Sequence, residues 1–316
     1  MKCSKILATV AFASLFAASS YADDVYGAIT IKKVKNSAGV EKTVAFIDDE
    51  SKATTVIEKE IQVDSVYFNR VFKVGNNESR ASTLMLPVEG GDASVSGKTG
   101  LDLFEFVQVV KYCSTCQYEI HVKNNNAGHL KANTPYIALV NGQKGNNVSI
   151  SLSTQNTSMT KISLKPTAGN HVVRHTEGDY HWDMTGTYEN IEFKNPKNIY
   201  GFAASASGTT RLGEFVKAAC KDGKCASIRP FRAYLKCVPT NLNKSADEVE
   251  LPESIKVFVV DDNGNKGTTA IGTLNTRTGE FVKEDNHWFD MKGRVLDHKP
   301  TAKGTYYNNK KKVIIK

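Results

Sequence analysis

The stretch HVVRHTEGDYHWD, which begins at His171, carries the densest group of side chains that could do chemistry. If it is a strand, His171 and His175 lie on one face, with Glu177, Asp179 and His181 just beyond. Imidazole and carboxylate groups so placed could bind zinc, and two carboxyls could hydrolyse a glycoside. Solvated polar side chains on a strand and its loop explain the same pattern. The chain has no nucleophile elbow and no HExxH motif, so we predict no catalytic, metal or cofactor site.

Five cysteines follow residue 22, and four of them form two closely spaced pairs. The pair in KYCSTCQYE is Cys113 and Cys116, and the pair in AACKDGKCAS is Cys220 and Cys225. Each pair flanks a short segment typical of a hairpin tip, which brings two cysteines within disulfide distance. We predict two disulfides that brace hairpins, with Cys237 free. A thiol oxidoreductase motif at CSTC and a four-cysteine zinc site are the competing interpretations.

Three aromatic residues, Tyr180, Trp182 and Tyr188, lie close together around Gly186. Exposed rings of this kind could form a platform for a glycan, which is the ligand that we favour. The alternative is a core position for Trp182, because a tryptophan supplies a large apolar area for burial. Exposure of Trp182 in a groove would favour glycan binding.

The first residues, MKCSKILATVAFASLFAASSYADD, contain two lysines and an apolar run, followed by Ser20 and Ala22 just before Asp23. This is the pattern of a secretory signal peptide with cleavage after Ala22. The apolar run is shorter than the ~20 residues that a membrane span requires. We therefore predict export across the inner membrane to a secreted or cell-surface location, and we do not predict a transmembrane protein.

The charge of the chain is concentrated at its C-terminal end. After residue 22 the chain has 39 Lys and Arg against 33 Asp and Glu, and residues 287–316 hold eight of the basic residues and two of the acidic ones. The rest is formally neutral, so a nucleic-acid partner is not predicted, because that would need a basic patch on the folded body. A compact basic end could still contact an anionic envelope surface.

Hydrophobic residues alternate with a period of two along most of the chain, as half-buried strands require. Turn signals such as Asp222-Gly223 separate the alternating segments. Many short antiparallel strands without helical crossovers predict an all-β antiparallel sandwich, of jelly-roll or immunoglobulin-like type, in preference to a barrel. The clearest segments are VSISLS from Val148, AITIKKV from Ala28, YEIHVK from Tyr118, KISLK from Lys161 and KVFVV from Lys256.

The chain closes with WFDMKGRVLDHKPTAKGTYYNNKKKVIIK, which reads aromatic-Asp-Leu/Met-x-Gly-Arg, then Lys-Pro-Thr-x-Lys-Gly, an aromatic strand and a basic apolar end. This end is similar to the tail of secreted proteins of anaerobic gut bacteria of the Bacteroidetes and Fibrobacteres lines, and several segments of the body resemble the same family. The resemblance implies an exported β-sandwich whose end is read by type IX secretion machinery, with Trp288, Asp290, Gly293, Arg294 and Gly304 as the recognised residues. The body segments are DSVYFNRVF from Asp64, TLMLP from Thr83, KANTPYIAL from Lys131, GTYENI from Gly186, YGFAASA from Tyr200, GEFVKA from Gly213 and PFRAYLKC from Pro230.

The tail also has the pattern of a short β-hairpin unit, with glycines at turns and lysines along an exposed edge. Its alternative role is to complete the sandwich. The predicted organisation is a signal peptide (1–22), an N-terminal β segment (23–60), a sandwich body (61–266), a linker or loose strands (267–286) and the sorting-like tail (287–316). The predicted function is a non-catalytic surface or extracellular protein that binds a glycan or serves structurally. The alternative is a secreted polysaccharide hydrolase with a carboxylate site near Glu177 and Asp179.

Overall fold

The computed structural model describes a large part of the chain. The described residues are 17–18, 23–35, 39–68, 70, 72–73, 81–89, 94–95, 100–112, 117–125, 130–141, 147–148, 152–153, 161–205, 212–241, 251–260, 272–275, 280–282, 288–291, 295–296, 300–308 and 311–315. Over these residues the regular structure consists of strands, with no helix. The all-β fold class predicted from the alternating pattern is confirmed.

The strands of the first half are short apart from β11. They are β1 (Ala17–Ala18), β2 (Asp24–Tyr26), β3 (Ile29–Lys35), β4 (Glu41–Ile47), β5 (Ile61–Val63), β6 (Ser65–Phe68), β7 (Phe72–Lys73), β8 (Ala81–Leu84), β9 (Val88–Glu89), β10 (Ser94–Val95), β11 (Gly100–Tyr112), β12 (Gln117–Asn124), β13 (Tyr136–Asn141), β14 (Asn147–Val148), β15 (Leu152–Ser153) and β16 (Ile162–Leu164).

The strands of the second half include the four of the tail. They are β17 (Val172–Glu177), β18 (Tyr180–Thr187), β19 (Ile191–Glu192), β20 (Ile199–Phe202), β21 (Phe215–Lys217), β22 (Cys220–Lys221), β23 (Lys224–Cys225), β24 (Ser227–Ile228), β25 (Arg232–Pro239), β26 (Ser254–Val260), β27 (Gly272–Asn275), β28 (Glu280–Val282), β29 (Trp288–Phe289), β30 (Val295–Leu296), β31 (Gly304–Asn308) and β32 (Lys311–Ile315).

Two large sheets make up the sandwich. The first has the order β1-β3-β4-β6-β15-β10, with β2 also paired to β3, and the second has the order β17-β18-β25-β20-β21-β26-β12-β11-β13-β8. The second sheet curls on itself, and β27 and β28 extend it beside β26. Most pairs are antiparallel, whereas β4 with β6 and β12 with β26 are parallel.

Two hydrophobic cores result from this arrangement. One lies between the sheets and joins Ile29, Ala45 and Phe68 of the first sheet to Leu84 and Tyr136 of the second. Because the N-terminal strands share a sheet with β6 and share this core, the described part of residues 23–60 packs as part of the sandwich. The other core lies within the curled sheet, where side chains of β11, β12, β18, β20, β25 and β26 meet. Segment 267–286, predicted as a linker or loose strands, contributes β27 and β28 to the large sheet.

The curl brings β8 close to the start of β25, although the two strands are not neighbours in the sheet order. The amide of Met85 donates to the carbonyl of Phe231 at 3.2 Å, and the amide of Ala233 donates to Oγ1 of Thr83 at 3.0 Å. Arg70 joins the same two strands, since its Nη1 donates to the Thr83 carbonyl at 2.6 Å and its Nη2 to the Phe231 carbonyl at 3.0 Å. The Thr83 carbonyl thus accepts from the Arg70 side chain, and the Phe231 carbonyl accepts from both the Met85 amide and Arg70.

Hydrogen bonds from side chains also join β17 to the far half of β11, which is its C-terminal part (residues 106–112). We call this contact the β11–β17 seam. The amide of Val109 donates to Nδ1 of His175, and the amide of Lys111 donates to Oε1 of Glu177, each at 3.3 Å. Residues 100–105 of β11 are paired with β13, so only the far half of the strand faces β17. Side chains thus close the curled sheet at both places.

Candidate functional site

The histidine and carboxylate stretch forms the β17–β18 hairpin, but the hairpin does not gather these side chains into one site. Nε2 of His171 donates to the carbonyl of Thr167 at 2.8 Å. Nδ1 of His175 instead accepts a hydrogen bond from the amide of Val109. His181 contacts the hydroxyl of Thr176 through Nδ1 at 2.8 Å. Among the described residues, no group of three or more His, Cys, Asp and Glu side chains is placed to hold a metal ion.

The two acidic residues considered for hydrolysis both contribute to the fold, Glu177 through its carboxylate and Asp179 through its main chain. Glu177 accepts the amide of Lys111 and so helps to close the seam. Asp179 lies in the tight turn after Gly178, and its carbonyl accepts the amide of Thr240 at 2.8 Å. Gly178 has φ 58°, a left-handed conformation that glycine adopts without strain. These contacts explain both residues through the fold of the hairpin.

Two of the three aromatic residues around Gly186, which were considered as a glycan platform, are buried in the fold. Trp182 has 0% and Tyr188 4% of its surface exposed, and Tyr180 is half-buried against the second core. The ring of Trp182 packs 5.5 Å from that of Tyr118, centroid to centroid. A glycan needs an accessible ring face, so burial of Trp182 supports the core interpretation considered from the sequence. Its Nε1 is a buried donor that finds no hydrogen-bond partner among the residues that the structure describes.

The cysteine predictions are confirmed where the structure describes them. Cys220 and Cys225 form a disulfide across the two-residue turn at Asp222-Gly223, where both residues have positive φ. Cys237 is free and buried. Burial raises the pKa of its thiol to about 12, with a smaller contribution from the nearby Asp183 carboxylate. Cys113 and Cys116 lie outside the described residues.

The tail forms a sheet of its own, with the order β30-β29-β31-β32. This is more than the two or three strands expected from the sequence. Of the residues proposed for recognition, Trp288 and Asp290 are half-buried, while Gly293 and Arg294 lie outside the described part of the chain. Gly304, predicted at a turn, is the first residue of β31, and a Cβ there would lie 3.2 Å from the ring of Tyr306. It provides room for that ring.

Apolar side chains lie on both faces of the tail sheet. Val313 is paired with Tyr306, and Ile314 with Thr305, so successive residues of β32 point to opposite faces. Ile314 is 60% exposed and Met291 69% exposed. No tail residue belongs to either of the two cores within the described ranges.

A surface depression of about 460 Å³ lies beside the first core, and no sequence pattern indicated it because its lining comes from two separate segments. Tyr26 and Ile61 form a half-buried apolar wall, and Val56 is 53% exposed. Glu60 is held in place there, since it accepts hydrogen bonds from Ser163 and Lys165. The lining residues are Tyr26, Val56, Glu58, Lys59, Glu60 and Ile61.

Comparison with known protein families, with curated proteins and with solved structures finds no match for this chain. Within the described residues, no helix has the length and hydrophobicity needed to cross a membrane.

Proposed function

We propose that this chain is an exported, non-catalytic cell-surface or extracellular β-sandwich protein that is delivered by its C-terminal tail. The observation that carries the proposal is that the four described strands of the tail pair only with one another. The tail also contributes nothing to the two described cores. A separate unit of this kind can be recognised without disturbing the fold of the body, as a sorting signal requires.

Charge supports the same separation. Eight of the basic residues lie in 287–316 beside two acidic ones, while the rest of the chain after residue 22 is balanced. Exposed Ile314 and Met291 add apolar surface to this basic unit. Basic and apolar surface on one small sheet suits an acidic partner surface with an apolar centre, and the secretion machinery implied by the resemblance is the partner that we propose.

The test is removal of residues 287–316 in the producing cell, together with transfer of the tail to a neutral reporter. We expect the truncated body to unfold cooperatively within a few degrees of the full chain and to accumulate in the periplasm, while the reporter reaches the surface. As a matched control, Lys52→Gln removes one exposed charge of the body and leaves the whole tail unchanged, and it should be exported. An unfolded or aggregated body with an unexported reporter would assign the tail to the fold and overturn the proposal.

For the ligand we propose a glycan, bound in the depression beside Tyr26. A sugar presents an apolar face and a rim of hydroxyl donors, which matches an aromatic wall next to carboxylate acceptors. Glu60 supports this because its contacts with Ser163 and Lys165 fix the carboxylate before any ligand arrives. A fixed acceptor loses less conformational entropy on binding.

The ligand is tested by a glycan array followed by titration of the best hit. Tyr26→Ala should weaken binding at least tenfold, and Glu58→Gln, which leaves the core untouched, should also weaken it. Tyr67→Ala is the control, because Tyr67 stacks on Phe46 at 5.3 Å and does not line the depression. Unchanged affinity in both lining variants would overturn the site. Turnover of chromogenic glycosides would overturn the non-catalytic assignment, and neither result would bear on the tail.

A further inference from the structure

The β11–β17 seam depends on side chains where most other strand contacts of the large sheet are main-chain ladders. β17 is the last strand at one end of that sheet, with β18 as its neighbour, and the far half of β11 has β12 on its other side. Between β11 and β17, the amide of Val109 is hydrogen-bonded to the ring of His175, and the amide of Lys111 to the carboxylate of Glu177. The two strands are therefore joined through groups whose protonation can change.

The contact of Val109 fixes the protonation state of His175. A main-chain N–H can only donate, so Nδ1 of His175 must carry a lone pair and the ring must be neutral with its hydrogen on Nε2. Protonation would place a hydrogen on Nδ1, opposite the N–H of Val109. The hydrogen bond would be lost, and two like dipoles would face each other.

We propose that His175 is a pH-sensitive latch, whose neutral imidazole holds β17 against β11 and whose protonation in mildly acidic solution opens the seam. The inference is independent of the tail and of the ligand proposed above. The sequence alone offered two roles for His175, a metal ligand or a solvated polar side chain, and the contact with Val109 supports a conformational role instead.

The surroundings of the imidazole favour its neutral form. Burial lowers the pKa of His175, and His121 on β12 also lowers it, while Glu177 raises it by a smaller amount than burial lowers it. His121 accepts a hydrogen bond from Gln108 at Nδ1 and contacts Glu119 through Nε2, each at 3.1 Å. Other titratable or charged groups on β11, β12, β17, β18 and β25 near the seam include Lys111, Tyr112, Tyr118, Tyr180, His181, Cys237 and the Arg174–Asp183 pair.

The direction of the pH effect follows from the lowered pKa. The folded protein binds a proton at His175 less readily than the unfolded chain, whose histidine titrates near 6.5. The closed seam therefore has its full stability above about pH 6.5 and loses it as the pH falls through the lower folded value. One proton linked to opening changes the opening equilibrium by up to about tenfold per pH unit.

The test is amide hydrogen exchange of the full mature chain between pH 7.5 and 5, with each rate corrected for its intrinsic pH dependence. Protection of the Val109 and Lys111 amides should fall by about tenfold over this range, while the amide of Leu235 in the core of β25 keeps its protection. His175→Gln supplies an acceptor that does not titrate, so its protection at Val109 should be independent of pH. His181→Gln, on the same hairpin, is the matched control and should behave like the unmodified protein.

Two results would overturn the latch. One is protection at Val109 that does not depend on pH in the unmodified protein, or that falls equally in His175→Gln. The other is a simultaneous loss of protection at Val109 and Leu235, which would mean that acid unfolds the whole sheet.

Discussion

Asp49 and Arg70 form an ion pair that is almost completely buried, with Nη2 of Arg70 2.8 Å from Oδ1 of Asp49 and side chains that are 3% and 4% exposed. Arg232 adds a second guanidinium, whose Nη2 lies 2.9 Å from Oδ2. Burial lowers the pKa of Arg70 to about 10, which leaves it charged at neutral pH. One carboxylate thus balances two cations at the place where β8 meets β25.

Removing that carboxylate should be strongly destabilising. Asp49→Ala leaves two guanidiniums without their counter-ion in a buried place, and breaking a buried pair in this way costs about 3–5 kcal/mol. Denaturant unfolding followed by circular dichroism measures the loss. Glu50→Ala is the matched control, because the carboxylate of Glu50 is 79% exposed where it pairs with Arg229, and the change there should stay within about 0.5 kcal/mol. Equal losses in the two variants would contradict the argument.

Asp49 also predicts sensitivity to acid. Burial alone would raise its pKa, but Arg70 and Arg232 outweigh that effect and hold it below its ordinary value. The pair therefore stabilises the fold fully above about pH 4 and loses its contribution as the pH falls through the lower folded value. The free energy of unfolding should therefore decline when it is measured at decreasing pH from 6 to 2. The decline should be shallower in Asp49→Ala, and parallel curves would exclude Asp49 as its source.

A side chain at Gly186 should force the buried side chain of Met85 to move. A Cβ at this position overlaps the sulfur of Met85 and lies 2.9 Å from its terminal methyl carbon, so Gly186→Ala should cost about 1–3 kcal/mol. Gly201→Ala is the control, because a Cβ there meets no atom within 4 Å. In a Met85→Ala background the cost of Gly186→Ala should shrink, and thermal unfolding of the four proteins measures that coupling. Additive effects would mean that the two side chains do not compete for space.

The cysteines predict a defined thiol chemistry. Cys237 should resist a thiol reagent in the native protein, because it is buried and its thiol has a pKa of about 12. After denaturation without reduction, one thiol per mature chain, from Asp23 onward, should react if Cys113 and Cys116 are also bridged. Rapid labelling of Cys237 itself in the native protein would show that this thiol lies at the surface.

Removing the Cys220–Cys225 bridge tests its local role. It closes a small loop, so the Cys220→Ser/Cys225→Ser double variant should lose about 2 kcal/mol. Cooperative unfolding should persist, because the bridge braces one hairpin. Loss of the folded state in the double variant would show that the disulfide stabilises more than that hairpin.

Local patterns in the sequence determined much of the secondary structure. Alternation placed strands at β3, β12, β16 and β26, because a period of two assigns successive side chains to opposite faces whatever the rest of the chain does. The Asp222-Gly223 turn and its flanking cysteines predicted a disulfide for the same reason, since both depend on residues adjacent in sequence. VSISLS is described only at its ends, as β14 and β15.

Tertiary structure decided the roles of the side chains. Alternation shows which residues share a face but not which face is covered, so it left Trp182 between groove and core until the curl of the sheet buried it. The partners of His175 and Arg70 could not be read from the sequence, because Val109 is 66 residues from His175 and Phe231 is 161 residues from Arg70. Contacts over such separations form only when strands from distant segments pack, and their free energy depends on a burial that no local pattern specifies.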